Sequence, residues 1–172
     1  ATKSSGIVGI LSEILFLPRT DRMHYGLIDQ YIIDNNDYAI IESIGRGVSV
    51  GFLSLYSGQE IEVYRLRGIG EVLGSKAILE ALKMGRLGYD YLLPMKLFFS
   101  CIQKMLKRDF PPWDIEEFEY HTDKMLLCTE LVNEAWMRVG YPIVPRGVIP
   151  LPAAFKKAEE YGKIDLIFKG II

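Results

Sequence analysis

Cysteine and histidine are scarce in this chain. Its 172 residues hold two of each: Cys101 and Cys128, His24 and His121. Two cysteines do not make a disulfide framework. They also lack CxxC spacing, and the histidines lack HxxxH spacing, so no structural zinc and no other metal is expected. Long hydrophobic runs are missing too. The longest, Gly6 to Pro18, is cut by Ser12 and Glu13, short of the roughly 18 residues a membrane span needs. Neither sign of charge dominates: 20 Lys and Arg face 22 Asp and Glu, a net charge of −2. With no basic stripe, a dedicated nucleic-acid binder is not expected. Repeats, low-complexity tracts and Pro/Gly-rich linkers are absent, and the length suits a single domain over residues 1–172.

What is present is ordinary globular material, 49% hydrophobic and 24% charged, enough to bury a core without covalent staples. The chain opens on Ala1, and residues 1–5 read as a short polar tail. No intact signal peptide is visible. The expectation is a protein without an integral membrane segment, in the cytoplasm or in the cell envelope after removal of a signal.

Residues 6–17 read as a strand or short helix. Residues 24–33 and 38–44 are rich in Ile and Tyr, with Asp34, Asn35, Asn36 and Asp37 between them, a β-hairpin pattern. Val48 to Leu55 and Ile61 to Arg67 read as strands around a Ser57-Gly58 turn. From Glu71 to Met84 the period changes to that of a helix, with Val72, Ala77, Ile78, Ala81 and Leu82 as its stripe and Gly85 as its stop. Residues 94–108 form a second helical stretch, 109–121 a Pro- and acid-rich loop, 128–139 a third helix and 152–161 a fourth. Ile164 to Lys169 is a last β-prone run. Strands first and helices after give an α+β class, with one antiparallel sheet and helices packed on it.

Cys128 opens the run CTELVNEAWMRVG. Positions 128, 131, 132, 135, 136 and 139 make an apolar stripe at helical spacing, which packs the helix on the core. A thiol in that first turn faces unpaired backbone N–H groups and the positive end of the helix dipole, an environment that stabilises a thiolate and an oxyanion. Cys128 is therefore either a nucleophile or a small buried core residue. Cys101 lies mid-helix and reads as core. A thiolate nucleophile needs a base. His24, at the start of a strand, is either that base or a half-buried residue bonded to a carbonyl. His121 reads as a solvated loop residue. The base in turn needs an orienter. Glu42, the sole charged side chain between Tyr38 and Ile44, is costly on an apolar face unless paired. It either pairs with His24 across the hairpin or reaches water at an edge. The glycine-rich stretch at 68–74 has the wrong spacing for a dinucleotide fingerprint, and no Walker lysine follows. No cofactor is expected.

The order of these pieces resembles the circularly permuted papain-like hydrolases of the NlpC-type cell-wall peptidase superfamily. Five short motifs carry the likeness: His24-Tyr25-Gly26, Ile41-Glu42-Ser43, Val63-Tyr64-Arg65, Gly88-Tyr89-Asp90 and Cys128-Thr129-Glu130-Leu131-Val132. The likeness covers roughly residues 22–140, and Val148 to Phe155 resembles the stretch that follows. The usual opening Gly-Asp strand is not seen in residues 6–22. The resemblance implies a permuted papain-like fold in which the nucleophile helix follows the strands. It implies Cys128 as nucleophile, His24 as base and Glu42 as orienter, with Tyr89 and Asp90 on the substrate side.

Three functions follow as expectations. The first is a cysteine hydrolase that cleaves an amide, a peptidase or amidase of cell-wall peptides, through a thioester. The second is a thiol esterase or acyltransferase handling lipid or another acyl compound on the same scaffold. The third is a binding module without chemistry. The expected partner is a peptide or an acyl-containing small molecule, with lipid as a further ligand class.

Overall fold

In the computed structural model, residues 24–34, 37–85, 87–88 and 126–172 are described. The expected elements at 6–17, 94–108 and 109–121 lie outside the described residues, as do Tyr89, Asp90, Cys101 and His121.

The fold is α+β. Strand β1 (Gly26–Asp34) and strand β2 (Asp37–Ile44) pair antiparallel, and β3 (Gly47–Phe52) pairs antiparallel with the far edge of β2. A 3₁₀ turn, Leu53–Tyr56, follows β3, so the expected strand to Leu55 ends early. Asp37 at the start of β2 holds this turn: its Oδ1 accepts the Ser54 N–H at 3.1 Å and the Tyr38 N–H at 2.9 Å. Strand β4 (Glu60–Leu66) comes next, then helix α1 (Glu71–Lys83), helix α2 (Cys128–Arg138), helix α3 (Pro152–Glu160) and strand β5 (Ile164–Ile171).

The expectation of one sheet is corrected among the described residues. The strands form two sheets, β1-β2-β3 and β4-β5. The 3₁₀ turn breaks the run from β3 to β4. The free edge of β4 is then satisfied by the last strand of the chain, through seven aligned pairs from Glu60–Ile171 to Leu66–Ile164. No helix among the described residues is long and apolar enough to cross a membrane.

The core lies between the three-stranded sheet and the helices. Tyr25, Leu27, Ile41 and Val48 supply the sheet side, and Ile78, Ala81, Leu131, Val132, Ala135 and Phe155 the helix side. The stripe expected on α1 is corrected at two positions. Ala77, Ile78 and Ala81 are buried, but Val72 is 72% exposed and Leu82 43%. Val72 lies six residues before Ile78, far round a helix of 3.6 residues per turn. The first two turns of α2 are buried on every side, including Thr129, Glu130, Asn133 and Glu134.

Buried polar groups need partners, and here the partners set the position of α2. The Ser43 hydroxyl donates to the Leu126 carbonyl at 2.7 Å, while the Leu126 N–H donates to the Gly88 carbonyl at 2.9 Å. Asn133 clamps the loop after the helix: Nδ2 donates to the Val144 carbonyl at 3.2 Å and Oδ1 accepts the Val144 N–H at 2.8 Å. Gly47, with φ +97°, lets β3 run against the next segment. A Cβ there would stand 2.5 Å from the Leu87 carbonyl oxygen. Asn133→Ala removes both clamp bonds and leaves a buried N–H unpaired, a loss of about 1–3 kcal/mol. Urea denaturation checks this; an unchanged midpoint refutes the clamp.

Candidate active site

Three elements bring their side chains to one point. His24 stands two residues before Gly26, and Gly26 pairs directly with Glu42 on β2. Alternation along a strand then puts His24 and Glu42 on the same face. Gly26 permits the approach: a Cβ there would lie 2.8 Å from Ile40 Cγ1 and 3.1 Å from the Ile41 carbonyl oxygen. Across the pair, His24 Nε2 lies 2.6 Å from Glu42 Oε2. Glu42 is 4% exposed, so the pairing meets the desolvation cost that its position imposes.

Helix α2 presents Cys128 as its first residue, after the N-cap Leu127. The Glu130 carboxylate reaches back to accept the Leu127 N–H at 2.7 Å, the acidic half of a capping box. That bond occupies the Leu127 amide. The Cys128 N–H, in the first turn, has no acceptor within the helix. Cys128 retains 9% of its surface.

The imidazole of His24 is in contact with both neighbours. Burial by itself pulls it toward the neutral form. Hydrogen bonds with Cys128 and Glu42 and the electrostatic influence of both outweigh it only together, and the imidazole is pushed up to about 9. Nε2 serves Glu42, which leaves Nδ1 for the thiol. Burial raises Glu42, but the hydrogen bonds from His24 and Tyr56, with the positive charge of His24, hold it below the usual carboxylate range.

Tyr56, in the 3₁₀ turn, is the participant that sequence reasoning missed. Its hydroxyl donates to the same oxygen of Glu42, Oε2. Its ring stacks on that of His24, with centroids 6.2 Å apart and planes 23° from parallel. Nothing local marks it, because the preceding run reads as a strand end.

His24 and Tyr56 also line a cleft of about 910 Å³, whose walls are largely apolar and include Ile28, Ile40, Trp136 and Phe168. Cys128 itself does not line this cleft. Among the described residues no group of His, Cys, Asp or Glu could hold a metal ion.

The arrangement is an acid–base pair: an imidazole between a buried carboxylate and a helix-terminal thiol. Such a unit can pass a proton between the thiol and the imidazole while the carboxylate holds the ring in place. The structure thus brings together His24, Glu42 and Cys128. No family model matches this chain, and no curated protein matches it.

The raised imidazole has a pH signature. The folded state holds this proton more tightly than the unfolded chain does. The resulting stabilisation is fully present below pH 6.5 and is lost as pH rises through about 9. The His24 ring resonances, identified by comparison with a His24→Gln sample, are expected to titrate near 9 in nitrogen-detected NMR. A midpoint at or below 6.5 contradicts the paired imidazole.

Proposed function

We propose that the protein is a cysteine hydrolase that cleaves an amide bond through Cys128, His24 and Glu42. The observation that carries this reading is the imidazole held on one side by a buried carboxylate at 2.6 Å and on the other by the thiol that opens α2. The order of elements, with the His and Glu strands before the thiol helix, is also what the resemblance to permuted papain-like hydrolases implies.

The chemistry runs as acyl transfer. The reaction starts when the proton of Cys128 passes to His24, leaving a thiolate. The thiolate sulfur attacks the carbonyl carbon, and the π electrons of the C=O bond move onto oxygen. The Cys128 N–H stabilises that oxyanion, aided by the positive end of α2. When the intermediate collapses the C–N bond breaks. The imidazolium gives its proton to the departing amine, leaving a thioester and a neutral imidazole. Water then gives a proton to His24 as its oxygen attacks the thioester. The C–S bond breaks, the acid is released and the ion pair is restored. Glu42 keeps Nε2 occupied throughout, so Nδ1 remains the nitrogen that faces the reaction.

A second reading changes the acyl donor, not the residues. The apolar walls of the cleft that meets the site at His24 and Tyr56 favour an ester with a hydrocarbon acyl chain. A thiol esterase or acyltransferase would use the same steps, with an alcohol leaving, or entering in place of water.

A series of chromogenic acyl esters of increasing chain length, run beside dipeptide amides, separates the two readings. Turnover that rises with chain length favours the ester. Turnover of the amides alone favours the peptidase. In either case Cys128→Ala and His24→Ala are expected to lower kcat/KM by roughly 10³-fold or more. Activity that survives Cys128→Ala sinks the hydrolase reading.

A further inference from the structure

We propose that Tyr56 is a positioning residue of this site: its hydroxyl fixes the Glu42 carboxylate, and its ring caps the imidazole that the carboxylate orients. The inference rests on the hydrolase reading and adds to it a fourth residue, from an element outside the three that carry the triad.

Three observations support it. First, the phenol and the imidazole share one acceptor atom, Glu42 Oε2. The donor that fixes the oxygen therefore also fixes the direction from which Nε2 is held. Second, the ring of Tyr56 lies nearly parallel to that of His24 at 6.2 Å, which opposes tilting of the imidazole toward the cleft that both residues line. Third, packing of the surrounding turn does not account for the placement. No residue of Leu53–Tyr56 is buried, and Leu55 is 68% exposed. The turn is held by Asp37 through the Ser54 N–H and by the Gln59 N–H to the Tyr56 carbonyl at 3.0 Å. These bonds fix its backbone and leave the side chain to reach Glu42.

The titratable groups that face Glu42 are His24, from the segment before β1, and Tyr56 from the turn. Cys128, from α2, faces His24 and is felt by Tyr56. A hydroxyl that donates to the ionised carboxylate favours ionisation. Without it, Glu42 takes up a proton at a higher pH and stops orienting the imidazole there.

The test reads the Cys128 thiol directly, by its rate of alkylation with iodoacetamide between pH 4 and pH 9, so it needs no substrate. Wild type, His24→Ala, Tyr56→Phe, Tyr56→Leu and Glu42→Gln are compared, with thermal melts alongside. Tyr56→Phe keeps the ring and loses the hydroxyl. It is expected to slow alkylation about tenfold at neutral pH, the value of one hydrogen bond to a charged group. It is also expected to move the acid limb of the profile to higher pH. Tyr56→Leu, which loses the cap as well, is slower again. The shift of the acid limb is absent when Tyr56→Phe is placed in the Glu42→Gln background, because the amide does not titrate. A lower melting temperature with an unmoved pH profile means that Tyr56 is only structural, and it overturns the proposal. A His24-dependent rate that Tyr56→Phe leaves unchanged overturns it alone. A wild-type rate that His24→Ala does not alter overturns the hydrolase reading and this inference with it.

Discussion

A carboxylate taken out of water must be repaid by donors, and Glu42 is the place where this chain meets that demand. Its oxygen takes two, the ring N–H of His24 and the hydroxyl of Tyr56. The two donors come from opposite flanks of the three-stranded sheet: His24 from the residues that enter β1, Tyr56 from the turn that leaves β3. The geometry of the candidate site follows from this one satisfied charge. With Nε2 engaged by Glu42, the imidazole keeps one further nitrogen, and Cys128 is the other titratable group that acts on the ring.

The thiol reaches the same place by a separate set of buried polar contacts. Ser43 fixes Leu126, two residues before Cys128, and Glu130 closes the first turn of the helix from within. Asn133 ties the second turn to Val144. Each contact is ordinary in kind. Their joint effect is a helix whose first residue is fixed against the sheet although nothing covalent holds it there. The proposed nucleophile thus sits on a rigid element, and the proposed base is held by a charge that cannot leave its pocket cheaply.

Much of this was legible in the residues. The Asp34 to Asp37 cluster marks the hairpin, because turn formers between β-prone runs leave the chain few alternatives. The start of α2 is legible in the spacing of its apolar stripe, and the isolated charge of Glu42 on an apolar strand narrows it to a paired group or an edge residue, of which its burial beside His24 selects the first. What was not legible has a common physical origin: propensity locates a strand without naming its partner. Hence β4 and β5 were expected in one sheet with the others, and they pair only with each other among the described residues. Tyr56 was hidden for the same reason. Its role depends on where a 3₁₀ turn delivers a side chain, and Leu53-Ser54-Leu55 reads as the end of a strand. The buried polar side of α2 escaped too, since Thr129, Glu130, Asn133 and Glu134 look like a solvated face until their neighbours are known.

Strand β2 is central in its sheet, paired on both edges, and consecutive side chains on it serve opposite sides. Glu42 looks toward His24, and Ser43 looks toward Leu126. Sliding this strand by one residue would drive the carboxylate into the hydrophobic interior and offer the imidazole a hydroxyl in its place. Both halves of the site would fail together, the carboxylate that holds the imidazole and the anchor of the thiol helix. Lineages descending from such a chain can therefore exchange amino acids along β2, but a single-codon deletion inside it is closed to them.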